Sequence, residues 1–142
     1  MKQVSGDAVL SANYIKARLQ DLISPAFDGY CMHEALFDDR WLEGTGVATL
    51  DVAKALIDEG FHPMTMYFPL VVHGAMLIEP TETEPKAELD RFIGAMRQIA
   101  LKAKSADAAE LKAAPRLAPL ARLDETLAAR KPRLRWKQAE PG

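Results

Sequence analysis

Cysteine is all but missing from this chain: Cys31 stands alone among 142 residues. That excludes a disulfide framework and a thiol-rich metal site, and it reads as a chain of a reducing, cytoplasmic compartment. Beside apolar neighbours, Cys31 is expected as a small buried hydrophobe rather than a reactive thiol. Long apolar runs are missing too. No stretch approaches the roughly 20 residues that a membrane helix needs, and the opening MKQVSGDAV lacks the apolar segment of a signal peptide. Histidine is scarce. His33, His62 and His73 have no spacing that sets two of them on one helix face, and no carboxylate lies at ligand spacing, so no metal site is expected. Gly44 and Gly46 lack the strand-to-helix context of a phosphate loop, and Ser5, Ser11 and Ser24 flank helices rather than fill a nucleophile elbow.

Charge is present but unevenly spread. Residues 1–100 hold 8 Lys/Arg against 15 Asp/Glu, whereas residues 101–142 hold 10 against 5. An acidic body with a basic tail suits a tail lying on an acidic surface, its own or a partner's. Asp107, Glu110, Asp124 and Glu125 interrupt the positive charge, which argues against a nucleic-acid-binding tail.

The least polar stretch, Gly60 to Glu82, organises the rest. Short apolar runs bounded by Gly and Pro read as buried strands, here 65–72 and 75–79, with His73-Gly74 as the turn of a tight hairpin. Gly60 fits the left-handed position just past a helix end. A further strand is expected at 32–37. Helices are expected near 9–22, 50–59 and 85–104, on the stripes Ile15/Leu19/Leu22, Leu50/Ala53/Leu56/Ile57 and Leu89/Phe92/Ile93/Met96. Thr49 and Thr83 are placed to cap the second and third of these. A short helix at 107–113 and a turn near 124–129 follow. Pro115, Pro119 and Pro132 break what remains. The order of elements predicts an α+β fold: a sheet of about three strands with helices on one face. The chain divides into a domain over 1–113 and an extended basic tail over 114–142.

Four residues stand out as site candidates. His62 sits in a loop between a helix end and a buried strand, where one ring nitrogen can be held by backbone while the other faces a ligand. Thr65 and Tyr67 give the next strand a polar-tipped face. His33 adjoins Glu34 at the start of the first strand, although strand neighbours commonly point to opposite faces. Glu79 and Glu82 lie near each other beside a helix start and read as capping and dipole compensation.

Several blocks resemble a known family in their order along the chain. They are Ala12-Asn13-Tyr14, Met32-His33-Glu34, Leu50-Asp51-Val52-Ala53-Lys54, Gly60-Phe61-His62-Pro63, Thr65-Met66-Tyr67-Phe68-Pro69, Glu79-Pro80-Thr81-Glu82-Thr83-Glu84, Lys86 to Phe92 and Arg122-Leu123-Asp124-Glu125. Together they resemble the C-terminal domain of glycine dehydrogenase (decarboxylating), the P-protein of the glycine cleavage system, from about Asp7 to Trp136. Tyr67 and Leu70 are closer to subunit 2 of the two-subunit bacterial form. The resemblance implies the small C-terminal domain of a fold-type-I enzyme that uses pyridoxal phosphate (PLP). It implies glycine as substrate and a lipoyl H-protein that takes the aminomethyl group. The rest of subunit 2 and subunit 1 are the implied partners, with neither nucleic acid nor membrane among them. His62, Thr65, Tyr67 and His33 would then line one wall of the cleft, none of them as a nucleophile. The family's cofactor lysine lies in a His-Lys-Thr context, which no lysine here has. The chain is therefore expected to be a C-terminal fragment or single expressed domain beginning at an added or internal Met1, holding no cofactor covalently and inactive alone. A free-standing binding or regulatory domain is the competing expectation, and an upstream reading frame carrying that lysine segment separates the two.

Overall fold

The computed structural model describes residues 1–136 and Gln138. Its elements are α1 (Lys2–Leu19), β1 (Ala35–Phe37), a 3₁₀ turn (Arg40–Leu42), α2 (Thr49–Asp58), β2 (Thr65–Met66), β3 (Met76–Ile78), α3 (Lys86–Ala103), α4 (Ala108–Ala113) and α5 (Glu125–Arg130). The strands form one antiparallel sheet in the order β1-β3-β2. This is the expected α+β class with three strands. No described helix is long and apolar enough to cross a membrane.

Alternation along the strands sets the layers. Ala35 and Phe37 on β1, and Met76 and Ile78 on β3, are buried against Ile15, Leu19, Leu56 and Met96 from the helices. Leu36 and Leu77 point the other way and remain half-buried. Their register pairs Leu36 with Leu77 and Leu77 with Thr65, so these three make one row across the open face. The helices pack mainly on one another: α1 on α3, α2 on α3 and α4, with α1 also meeting β1. A two-pronged Arg97–Asp21 pair, at 2.6 and 2.8 Å, ties α3 to the end of α1. That guanidinium holds the Asp21 carboxyl below the usual carboxylate range.

Several expectations are corrected. The first helix begins at Lys2 rather than near 9 and ends at Leu19, before Leu22. Beyond it, residues 24–26 run along the edge of β1: Asp38 N–H donates to Ser24 and Ala26 N–H donates to Leu36. Pro25, without a donor, makes only a single bridge there, to Phe37. The first strand is ladder-paired only from Ala35. Cys31, half-buried, instead finds a side chain as partner, since Asn13 accepts from its N–H at 3.0 Å and donates to its carbonyl at 2.7 Å.

The largest correction falls on the hairpin. β2 and β3 do pair antiparallel, but β2 stops at Met66. Tyr67 takes a left-handed φ of 58°, which turns the chain out of the ladder. Residues 67–75 form a loop, and Leu70 and Val71, read as buried, are 81% and 87% exposed. Thr49 does not cap α2, because its buried hydroxyl donates to the Gly74 carbonyl at 2.8 Å. Asp51 serves that helix instead, accepting from Ala48 N–H at 2.8 Å in the first turn, where a negative charge is favoured. Thr83 does not cap α3 either, and its hydroxyl meets that of Thr81.

Past α4 the chain first lies on the body. Ala114 and Pro115 are buried, and the Arg116 and Leu117 amides donate to the Asp58 carboxylate at 2.8 Å. Arg122 pairs with Asp51 at 2.6 Å and donates to the Ala114 carbonyl at 2.8 Å. Beyond it, α5 carries no buried residue, and Leu123, Leu127, Leu134 and Trp136 are exposed.

Candidate functional site

The end of α2 sets the first half of the site. Phe61 N–H donates to Leu56 and Gly60 N–H to Ile57, with Gly60 at φ 80°. This is the paired bonding of a helix stop that needs a residue free to adopt a left-handed backbone, as the position of Gly60 led one to expect. The stop throws Phe61 onto Phe92, edge to face at 5.4 Å, with the Arg91 guanidinium 4.4 Å over its ring. His62 follows, exposed, with Nδ1 3.0 Å from the Pro63 carbonyl. A carbonyl only accepts, so Nδ1 carries the proton and Nε2 is left as an acceptor on the neutral ring.

The second half leaves the far end of β3 as Glu79-Pro80-Thr81. Thr81 has φ 56°, a left-handed backbone on a β-branched residue. Such a conformation costs on the order of 1–3 kcal/mol and persists only where its surroundings impose it. The two halves face each other across a groove of about 430 Å³. His62, Thr65, Glu79, Thr81, Glu84 and Glu88 supply its polar groups, and Phe61, Leu77, Ile78, Leu89 and Phe92 its apolar floor.

The structure thus brings His62 and Thr65 together. His33 is not in the groove's lining but reaches its rim, with Nε2 3.8 Å from both Glu34 and Glu79. His33 and Glu34 do approach, since both precede Ala35, where the strand and its alternation begin. His33 and Glu79 are exposed and Glu34 is only half-buried, so the attraction is weak. Tyr67 stands elsewhere: its phenolic oxygen accepts from Leu50 N–H at 3.2 Å, serving an amide that α2 leaves without a helical partner. Glu79, Thr81, Glu84 and Glu88 are groove residues that sequence reasoning missed. The density of glutamate between Glu79 and Glu88 was the available signal, and it was assigned to helix capping.

A separate pair sits by the 67–75 loop, where His73 Nδ1 lies 2.9 Å from Asp39. The hydrogen bond and charge of Asp39 raise the His73 pKa above its ordinary 6.5. The protonated form therefore favours the folded state. Its contribution is fully present below the unfolded pKa and is lost as pH rises through the folded one. Imidazole NMR should place the His73 midpoint above 6.5, with Asp39→Asn bringing it back. A wild-type midpoint at or below the ordinary value contradicts the pair.

The described residues thus make a small α+β domain with a groove on its rim, an open sheet face and a half-anchored tail. The family model for "Glycine dehydrogenase, C-terminal domain" matches residues 4–120. The chain is 75% identical over 138 residues to the probable glycine dehydrogenase (decarboxylating) subunit 2 of Caulobacter vibrioides, an alignment covering 96% of this chain and 26% of that protein. The same subunit from Staphylococcus epidermidis is 50% identical, covering 97% and 27%, and that from Kosmotoga olearia 48%, covering 91% and 27%. The chain belongs to the glycine dehydrogenase C-terminal domain family, and it spans little more than a quarter of the length of these relatives.

Proposed function

We propose that this chain acts as the C-terminal domain of subunit 2 of a glycine dehydrogenase (decarboxylating), and that its groove is one wall of the cleft where glycine is bound. One observation carries the reading. Two blocks of the family resemblance, around His62-Pro63 and Glu79-Pro80-Thr81, are distant in sequence and meet in a single groove. A left-handed threonine at that meeting point supports it, because strained backbone concentrates at binding sites.

The reading places the domain as the small part of a fold-type-I PLP enzyme. PLP, held by the rest of subunit 2, supplies the electron sink for decarboxylation. This chain's groove does not fit the cofactor's phosphate: its lining holds three glutamates and neither Lys nor Arg. No lysine of the chain has the sequence context of the cofactor lysine. The wall's own work is to keep water out, to offer His62 Nε2 and the Thr65 hydroxyl as hydrogen-bonding groups, and to orient the bound molecule. Subunit 1 and a lipoyl H-protein, which takes the aminomethyl group, complete the proposed assembly.

In the assembled two-subunit enzyme, His62→Ala should lower turnover at least about tenfold, the scale of a lost positioning contact. Thermal unfolding should be unchanged, because His62 is exposed and bonds only to its neighbour. Turnover equal to wild type would return His62 to the role of a loop ligand.

A further inference from the structure

Where β1 begins and β3 ends, two carboxylates meet. Ala35 lies opposite Ile78, so one residue further along the same register Glu34 stands across from Glu79. Like charges opposite each other destabilise a sheet unless a cation lies between them. Among the described residues neither glutamate pairs with a lysine or arginine, and the basic group that both face is His33. Its Nε2 stands 3.8 Å from an oxygen of each, beyond hydrogen-bond reach. The three donor atoms all lie within 4.8 Å of one another. The segments that carry them are anchored. Ala35, Ile78 and Pro80, the chain neighbours of the two glutamates, are buried, and Asn13 holds the Cys31 backbone just ahead of His33.

We propose that His33, Glu34 and Glu79 form a binding site for a divalent first-row transition cation. A lysine or guanidinium would be served by the two carboxylates alone. An imidazole nitrogen turned to the same point adds a third electron-pair donor, and imidazole is the commonest metal ligand. One nitrogen and two oxygens suit Zn²⁺ and its neighbours, whereas Mg²⁺ and Ca²⁺ take oxygen ligands. Zn²⁺ holds such ligands at about 2.0–2.2 Å, which in a tetrahedron sets them about 3.4 Å apart. Rotation of these partly exposed side chains closes the small remainder from 3.8 Å. Three protein ligands leave a fourth position for a water or a ligand atom. No spacing along the sequence announces the site, since Glu79 is brought to His33 only by the pairing of β3 with β1. Glu79 also lines the His62 groove. A cation bound here therefore offsets one of the groove's carboxylates and ties the segment before β1 to the strand end from which Pro80 and Thr81 leave. The site concerns what this chain binds by itself and does not rest on the wall reading.

Zinc chloride titrated into the untagged chain, followed by calorimetry and by imidazole NMR, tests the site. The expected result is saturation at one equivalent, with the His33 resonances shifting and those of His62 and His73 unmoved. Magnesium chloride in excess should have no effect. Affinity should fall at least about tenfold in His33→Ala and in Glu79→Gln, a loss that even an outer-shell partner of a metal ligand costs. Both side chains are exposed, so the variants keep their fold, which circular dichroism checks. His73→Ala, at the other histidine–carboxylate pair, should bind zinc as the wild type does. Acidification should weaken binding, because the proton competes for the imidazole. No saturable heat, or a weak response shared by all three histidines, means adventitious binding only and overturns the proposal. Zinc affinity unchanged in Glu79→Gln, or lost in His73→Ala, overturns it as well. The wall is judged separately by His62→Ala turnover, so metal site and wall can fail independently.

Discussion

Gly74→Ala is expected to destabilise the domain by about 3 kcal/mol, a left-handed alanine and an overpacked contact each costing on the order of 1–3 kcal/mol. Gly74 has φ 58°, and an added Cβ would lie 2.1 Å from Asp39 Cγ and 2.4 Å from Asp39 Cβ. Rotating the aspartate cannot relieve the clash, because its Cβ is fixed to the backbone. Any shift of the glycine also pulls its carbonyl from the buried Thr49 hydroxyl, which starts α2. A single residue thus joins the 67–75 loop, the turn at Asp39 and the second helix. Urea and thermal unfolding give the measurement, and a midpoint loss near 10 °C is expected at about 4 °C per kcal/mol for a domain of this size. A change below about 0.5 kcal/mol would show that the loop yields freely and that the contact carries no energy.

The second large effect is an absence of activity. Mixed with PLP and glycine, this chain alone is expected to release no carbon dioxide and to show no stoichiometric visible band from a lysine-bound cofactor. Electron withdrawal requires the cofactor to be held covalently with its phosphate and ring nitrogen matched. The groove offers carboxylates where a phosphate needs cations. A single wall also leaves glycine in water, where the preorganised electrostatics that stabilise a developing carbanion are absent. A stoichiometric band on one lysine, or glycine-dependent carbon dioxide release, would place the catalytic centre within these 142 residues and sink the wall reading.

What could be read in advance divides along physical lines. The second and third long helices were legible because a 3.6-residue stripe such as Leu89, Ile93 and Met96 has one use, burial against a core. Gly60 was legible for a local reason, since its backbone conformation is one that few other residues adopt. The run over 65–72 was misread because apolar character does not say which body will cover it. Met64 is in the core, whereas Leu70 and Val71 face outward. Tyr67 hid the break, as no propensity marks an aromatic residue for a left-handed backbone. The groove was half legible. His62 and Thr65 were found in two adjacent blocks, but Glu79, Thr81 and Glu84 join them only through the β1-β3-β2 order, which brings the far end of β3 beside the entry to β2. Tyr67 is drawn aside by the start of α2, and His33 reaches only the groove's rim, beside Glu79.

The Arg122–Asp51 pair gives the chain a timetable. Its two ends are 71 residues apart, so during synthesis at about 5–20 residues per second the arginine follows the aspartate by roughly 4–14 s. Through that interval the start of α2 has its carboxylate without its cation, held only by the Ala48 amide and the Thr49–Gly74 bond. Arg122 then closes the pair and, through the Ala114 carbonyl, holds a later stretch of chain against an earlier one. The charge pair at the start of α2 is therefore complete only once the chain has been made through Arg122.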